Sequence, residues 1–211
     1  CLNFAIEVSE LALNDPVEFQ AFLGFEATVV ADLRAQFPNL PLMISVGLKS
    51  PTSTEMATLR AEMPAAIAHV DWVGLSVYPY AFFDHADKGD PANLPADWFS
   101  QGVDLAAGKP IAVAETGWIA EDLVIPTFSL NVPADADDQA RYVQALLAEC
   151  EQYDARFVTW FTVADFDALW NGVLGQDPIA HIWRDTGLFD GLQVARPALA
   201  EWQAHLAMPL R

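Results

Sequence analysis

The sequence predicts an α/β fold, the C-terminal portion of a (β/α)8 TIM barrel, and three observations predict it. Short apolar runs without polar alternation begin near residues 2, 41, 72, 110 and 156, each followed by residues at helical spacing. Such runs read as strands covered on both faces, and strand–helix alternation gives a parallel sheet. Two runs end on an acid: Leu2-Asn3-Phe4-Ala5-Ile6 stops at Glu7, and Ile111-Ala112-Val113-Ala114 stops at Glu115. In parallel barrels the C-terminal strand tips carry the chemistry. Neither Gly-x-Gly-x-x-Gly nor Gly-x-x-x-x-Gly-Lys-Ser/Thr occurs, so nucleotide-binding doubly wound folds lack their fingerprint. A whole barrel takes about 250 residues. The 211 residues supply five units, so the expectation is one incomplete barrel domain over 1–211, about strands four to eight, with about three units upstream.

Taken in order, the first strand ends at Glu7. Asn14-Asp15-Pro16 is a helix start, with a capping side chain and proline in the first turn, and that helix is expected to run to about Phe37. Pro41–Leu48 is the second strand. Thr52–Glu55 opens a helix carrying Met56, Leu59 and Met63, which Pro64 is expected to interrupt. Asp71–Val77 is the third strand, followed by Tyr78-Pro79-Tyr80 and a loop to about Leu94. Pro95–Ala107 reads as a short helix. Pro110 marks the start of the strand that reaches Glu115. Ile119–Pro133 reads as a long loop, a length associated with function. Ala136–Tyr153 is a helix, Arg156–Val163 the fifth strand, Ala164–Gly191 a second long loop, and Pro197–Leu206 the last helix.

Composition narrows the function classes. Hydrophobic residues make up 53% and charged residues 18%, which is a globular and not a disordered balance. A formal charge of −19 repels phosphate backbones, so no nucleic-acid partner is expected. No apolar run approaches the ~20 residues of a membrane span. Cys1 and Cys150 make no metal-ligand spacing, and His85 and His181 form no ligand pair, so neither metal nor other cofactor is expected. Ser45 and Ser76 lie within strands without a Gly-x-Ser-x-Gly elbow, which argues against a serine hydrolase. Glu10 reads as a helix-entry or surface residue. The chain opens on Cys1 with strand-like sequence, so a natural beginning upstream is expected; a signal peptide there would make the protein secreted or periplasmic.

Two acids at two strand tips suit glycoside hydrolysis, in which one carboxyl protonates the leaving oxygen and the other attacks or activates water. Four stretches carry a family likeness: Leu2–Glu7, Asp71–Pro79, Lys109–Trp118, and Thr186-Gly187-Leu188-Phe189-Asp190 through Arg196-Pro197-Ala198. Together they resemble the C-terminal part of the retaining glycoside hydrolases of clan A. The likeness is nearest to the arabinogalactan endo-β-1,4-galactanase family and its bacterial relatives. The resemblance implies a carbohydrate substrate, Glu115 as nucleophile and Glu7 as acid/base. In this clan the acid/base usually follows an Asn that helps bind the sugar 2-hydroxyl; here residue 6 is Ile. Tyr78, just past a strand tip, is the expected donor to Glu115. Trp160 is the first candidate for a sugar platform, with Trp118 and Trp170 behind it. The alternative is a barrel that binds carbohydrate without cleaving it.

Overall fold

The computed structural model describes residues 1–208. The chain forms two compact units, interleaved in sequence. The first comprises Cys1–Val77, Asp97–Glu115 and Tyr153–Thr159; the second comprises Tyr78–Ala96, Thr116–Gln152 and the chain from Trp160 onward.

The first unit is built on a five-stranded sheet: β1 (Leu2–Ala5), β2 (Leu42–Gly47), β3 (Trp72–Val77), β4 (Ile111–Thr116) and β7 (Val158–Trp160), hydrogen-bonded in that order. β1 runs parallel to β2 and β2 parallel to β3, with Gly47 opposite Ser76. All five strands expected from the sequence are present. β2 is buried along its whole length, as a strand between two neighbours should be. β1 corrects the expectation of a run buried on both faces. It is an edge strand that stops at Ala5, and Ile6 beyond it is 71% exposed.

Helices follow β1, β2 and β3 directly. α1 (Val8–Asn14) was not expected: the chain turns directly from Glu7 into it. α2 (Pro16–Gln36) begins where the capping signal placed it, with the Asp15 side chain accepting the Glu18 N–H at 3.0 Å. α3 (Thr54–Ile67) starts at Ser53, whose hydroxyl oxygen accepts the Met56 N–H at 3.0 Å. Pro64 does not interrupt α3. Met63, Ala66 and Ile67 are buried on either side of it, and their packing holds the helix through the missing N–H. No basic side chain lies in the last turn of α3. Instead the ammonium of Lys109 donates to the carbonyls of Ile67 at 2.7 Å, Ala68 at 3.1 Å and Val70 at 2.5 Å. α5 (Ser100–Leu105) occupies part of the helix expected over Pro95–Ala107.

One polar group is costly here. Glu26, in α2, is fully buried; His69 Nδ1 lies 3.3 Å from its Oε2, and its Oε1 has no hydrogen-bond partner. Burial raises its proton affinity above the ordinary carboxylate range, more than His69 and Lys109 lower it.

The second unit contains α4 (Pro79–Phe82), an antiparallel hairpin of β5 (Leu123–Ile125) and β6 (Leu130–Val132), α6 (Ala136–Gln152), α7 (Asp167–Asn171), α8 (Pro178–His181) and α9 (Pro197–Leu206). The hairpin stands where a loop was expected, and α7 and α8 lie within the second expected loop. α6 packs on α9 through Val143, Leu147 and Ala198, with Trp160 and Trp202 against the same cluster. Among the described residues no helix is long and apolar enough to cross a membrane.

Candidate active site

The C-terminal ends of β1, β2 and β3 converge on Glu7. Its backbone is left-handed, at φ 49° and ψ 46°, a region that non-glycine residues seldom occupy and that costs strain. The surroundings compensate. The Glu7 N–H donates to Ser45 Oγ on β2 at 2.9 Å, and the Glu7 carbonyl accepts the Glu10 N–H at 2.9 Å. The turn ends β1 and aims the carboxylate across the strand tips. There Glu7 Oε1 accepts a hydrogen bond from Ser76 Oγ at the end of β3.

The carboxylate passes over Gly47, the last residue of β2. A Cβ placed there would lie 3.3 Å from Ser9 Oγ, 3.4 Å from Glu10 Oε1 and 3.7 Å from Glu7 Oε1. Only a glycine leaves that space open without crowding. The Gly47 N–H donates to Ser9 Oγ at 2.8 Å, which fixes the start of α1 on the tip of β2. Glu10 accepts from Lys49 Nζ at 2.5 Å; the Lys49 side chain is largely buried and that of Glu10 about half exposed.

Glu115 is the penultimate residue of β4, the strand next to β3, and is partly buried. Gly74 of β3 lets the strands close up: a Cβ there would come within 2.9 Å of Ala114 Cβ and 3.1 Å of Ser45 Cβ. Glu7 is thus tied by Ser76 to the strand that neighbours β4. Sequence reading dismissed Ser45 and Ser76 as nucleophiles and did not foresee them as supports of Glu7. It likewise missed Lys49 and Gly47. Their only local signal is their place at the tips of β2 and β3.

The aromatic candidates lie in the second unit. Tyr78 is buried, edge-on to Tyr80 at 6.2 Å and to Trp183 at 5.8 Å. Trp118 has no exposed face. Its ring stacks on Tyr142 at 4.5 Å, and its indole N–H donates to the Gly89 carbonyl at 3.2 Å. Trp160 is half-buried, lies edge-on to Trp202 at 6.0 Å and donates to the Thr186 carbonyl at 2.9 Å. Trp170 packs on His181 at 4.7 Å, with the Arg184 guanidinium 4.8 Å from its ring centre.

Glu121, Asp165 and Asp185 each bring a carboxylate oxygen within 4.8 Å of the others, the one grouping among the described residues with metal-ligand spacing. Arg196 pairs with Glu121 at 2.8 Å and with Asp165 at 2.7 Å, and Arg184 pairs with Asp185 at 2.6 Å. The three carboxylates are thus paired with two guanidinium groups in an ion-pair network. Burial pushes Asp165 up to about 6, more than Arg196 pulls it down.

No family model matches the chain, and no curated protein matches it in sequence. Solved structures do match. An endo-laminarinase from Formosa Hel1_33_131 aligns with a TM-score of 0.60 at 14% identity, over 92% of this chain and 56% of that one. An endo-β-1,4-xylanase of glycoside hydrolase family 10 from Gloeophyllum trabeum gives 0.55 at 22%, over 87% and 52%. An FMN-binding β-glucuronidase from Facaelibacterium prausnitzii L2-6 gives 0.56 at 14%, over 89% and 26%. The chain shares the α/β fold of these three solved structures. The chain spans between about a quarter and just over half of the length of these proteins. None of the three is a galactanase, and at 14% to 22% identity the likeness shows the fold alone.

Proposed function

We propose that the chain is part of a retaining glycoside hydrolase, with Glu115 as nucleophile and Glu7 as acid/base. The observation that carries the reading is the reach of Glu7 across Gly47 to Ser76, on the strand beside the one that bears Glu115. A carboxylate held in a strained turn and aimed along the strand tips has no packing role, and strain of this kind gathers at working sites. The neighbours' fold supports the same reading, and so does the expectation that β1 to β4 and β7 are strands four to eight of a (β/α)8 barrel.

In this mechanism Glu115 attacks the anomeric carbon while Glu7 gives its proton to the departing oxygen. Glu7 then takes a proton from water, which releases the sugar from Glu115. Tyr78 is the proposed donor to Glu115. Trp160 and Trp170 are the proposed sugar-facing rings; Trp118 has both faces covered and packs on Tyr142 instead. The substrates to try are a β-1,4-galactan, as the family resemblance implies, and laminarin, xylan and β-glucuronides, as the neighbours suggest.

The test is turnover by Glu115→Ala and Glu7→Ala in the natural full-length protein. Glu115→Ala abolishes hydrolysis, because the glycosyl bond forms on its own oxygen. Glu7→Ala retains more activity on an activated aryl β-glycoside than on an oligosaccharide, and azide accelerates it to give the β-azide. Wild-type rates in Glu115→Ala exclude the assignment. The second reading, a carbohydrate-binding barrel without turnover, draws on Ile6, which stands exposed where an Asn would help hold the sugar. It predicts saturable oligosaccharide binding that is unchanged in Glu115→Ala.

A further inference from the structure

Aromatic rings of the second unit form one unbroken file. From Trp202 it runs to Trp160 at 6.0 Å, Tyr142 at 6.1 Å and Trp118 at 4.5 Å, measured between ring centres. From Trp118 it continues to Tyr80 at 5.6 Å, Tyr78 at 6.2 Å and Trp183 at 5.8 Å. These are the separations of rings in contact. The file takes four of the seven tryptophans and three of the four tyrosines in the sequence, and no phenylalanine interrupts it. Its middle members, Tyr142, Trp118, Tyr80 and Tyr78, are buried, whereas Trp183 at one end and Trp160 and Trp202 at the other are half-buried. Packing alone would be served as well by phenylalanine. Indole and phenol differ from it in giving up one electron readily.

The vacancy left by that electron moves on only while the oxidised ring keeps its proton. The indole N–H of Trp118 donates to the Gly89 carbonyl at 3.2 Å and that of Trp160 to the Thr186 carbonyl at 2.9 Å. A carbonyl is too weak a base to take the proton. The N–H groups of Trp183 and Trp202 are buried without an acceptor among the described residues. Orphaned donors of this kind call for an explanation, and redox use is one. Burial holds the Tyr142 phenol above its ordinary value, so this ring also keeps its proton.

We propose that the file is an electron-transfer chain that carries oxidising equivalents out of the buried core of the second unit to its half-buried indoles. A one-electron oxidant, such as a hydroxyl radical, takes an electron from a ring and becomes hydroxide. The ring becomes a radical cation, and an electron from the next indole fills it. The vacancy thus moves one place, and no covalent bond forms or breaks. The tyrosine rings bridge the gaps between indoles. Water stabilises a positive charge better at the ends than in the dry core, so the vacancy runs outward. The formal charge of −19 lowers the cost of carrying it. At the end a solution thiol supplies the electron and releases a proton, which turns the hydroxide to water. Two thiyl radicals then join as a disulfide. The buried rings are returned unmodified. This activity is independent of whether the chain hydrolyses sugars.

The experiment injects the vacancy at one end and reads it at the other. A ruthenium polypyridyl photo-oxidant is attached to the full chain through Gln203→Cys, beside Trp202, with Cys1→Ser removing the exposed thiol; Cys150 is buried. Flashes in air with an irreversible cobalt(III) electron acceptor oxidise Trp202, and mass spectrometry of the digest locates the oxygenated indoles. Product should appear at Trp183, above the level at Trp72 and Trp98 of the first unit. Trp118→Phe should cut the Trp183 product by about tenfold or more, because the vacancy then has to cross a ring that resists oxidation, and the Trp202 product should rise. Should Trp118→Phe fold poorly, Trp160→Phe breaks the file at its next indole and should give the same result. Equal Trp183 yields with and without the break overturn the proposal. So does a Trp183 yield no higher than that of Trp72 and Trp98.

Discussion

The hydroxyl of Ser76 meets Oε1 of Glu7 from 69 residues away in the sequence, over a position where β2 carries no side chain. This contact joins the first strand to the third and gives the left-handed turn at Glu7 its direction. Without it the carboxylate would keep its backbone turn but lose its aim.

Ser76→Ala therefore lowers kcat/KM in the full-length protein by about 10- to 100-fold, the range of a hydrogen bond to a charged group. The melting temperature should change little, since the serine sits at the end of a strand whose core residues remain. Kinetics and a thermal melt on the same sample check both halves.

Gly47→Val costs activity through crowding. Its added methyls enter the space shared by Ser9, Glu10 and Glu7. Overpacking of this degree costs about 1–3 kcal/mol, and the part borne by Glu7 appears as lost turnover on every substrate. Gly47→Ala is the milder control, because its Cβ contacts of 3.3 to 3.7 Å ask the neighbours to give only slightly.

Stability should rise as the solution is made mildly acidic. Glu26 is raised by burial, and burial pushes Asp165 up to about 6. An acid that binds protons more tightly when folded stabilises the fold fully at low pH, and that share is lost as pH climbs through its folded value. Denaturant midpoints measured from about pH 5 to 8 should fall across this window. Glu26→Gln keeps the shape of the side chain, removes its part of the slope, and is more stable than the parent at pH 8.

Trp118→Ala tests packing against sugar contact. A fully buried indole stacked on Tyr142 costs about 3–5 kcal/mol on truncation. The expected result is a large drop in melting temperature. A rise in KM with an unchanged melt would return Trp118 to the binding surface.

A 2-deoxy-2-fluoro β-glycoside with a good leaving group should trap the covalent intermediate. Digestion and mass spectrometry should find the added sugar on the peptide that contains Glu115, and none on the peptide that contains Glu7. Label on Glu7 would reverse the two roles.

Strand positions were legible because their signal is local: an unbroken apolar run bounded by proline or an acid. The start of α2 was legible for the same reason, since Asn14-Asp15-Pro16 states it in three residues. α1 was not, because seven residues are too few to show a helical period and its entry depends on the backbone of Glu7. The β5–β6 hairpin escaped notice because its strands are three residues each and are joined through Pro126. Pro64 misled because tertiary packing outweighed its local preference. At the candidate site the acids could be picked out as run-ending residues. Their supports could not, since Ser45 and Ser76 reach Glu7 across 38 and 69 positions. Such contacts exist only once the sheet has brought the strands into register.

Lys109 gives the chain an order of assembly. The last carbonyls of α3 wait for an ammonium about 40 residues further on. On the ribosome, α3 would emerge with a frayed end and remain so until the segment leading into β4 had followed it out. The residue that finishes this helix also leads into the strand bearing Glu115, so α3 is capped only where the chain entering that strand lies beside it. Loss of the Lys109 ammonium would leave the carbonyls of Ile67, Ala68 and Val70 without this donor.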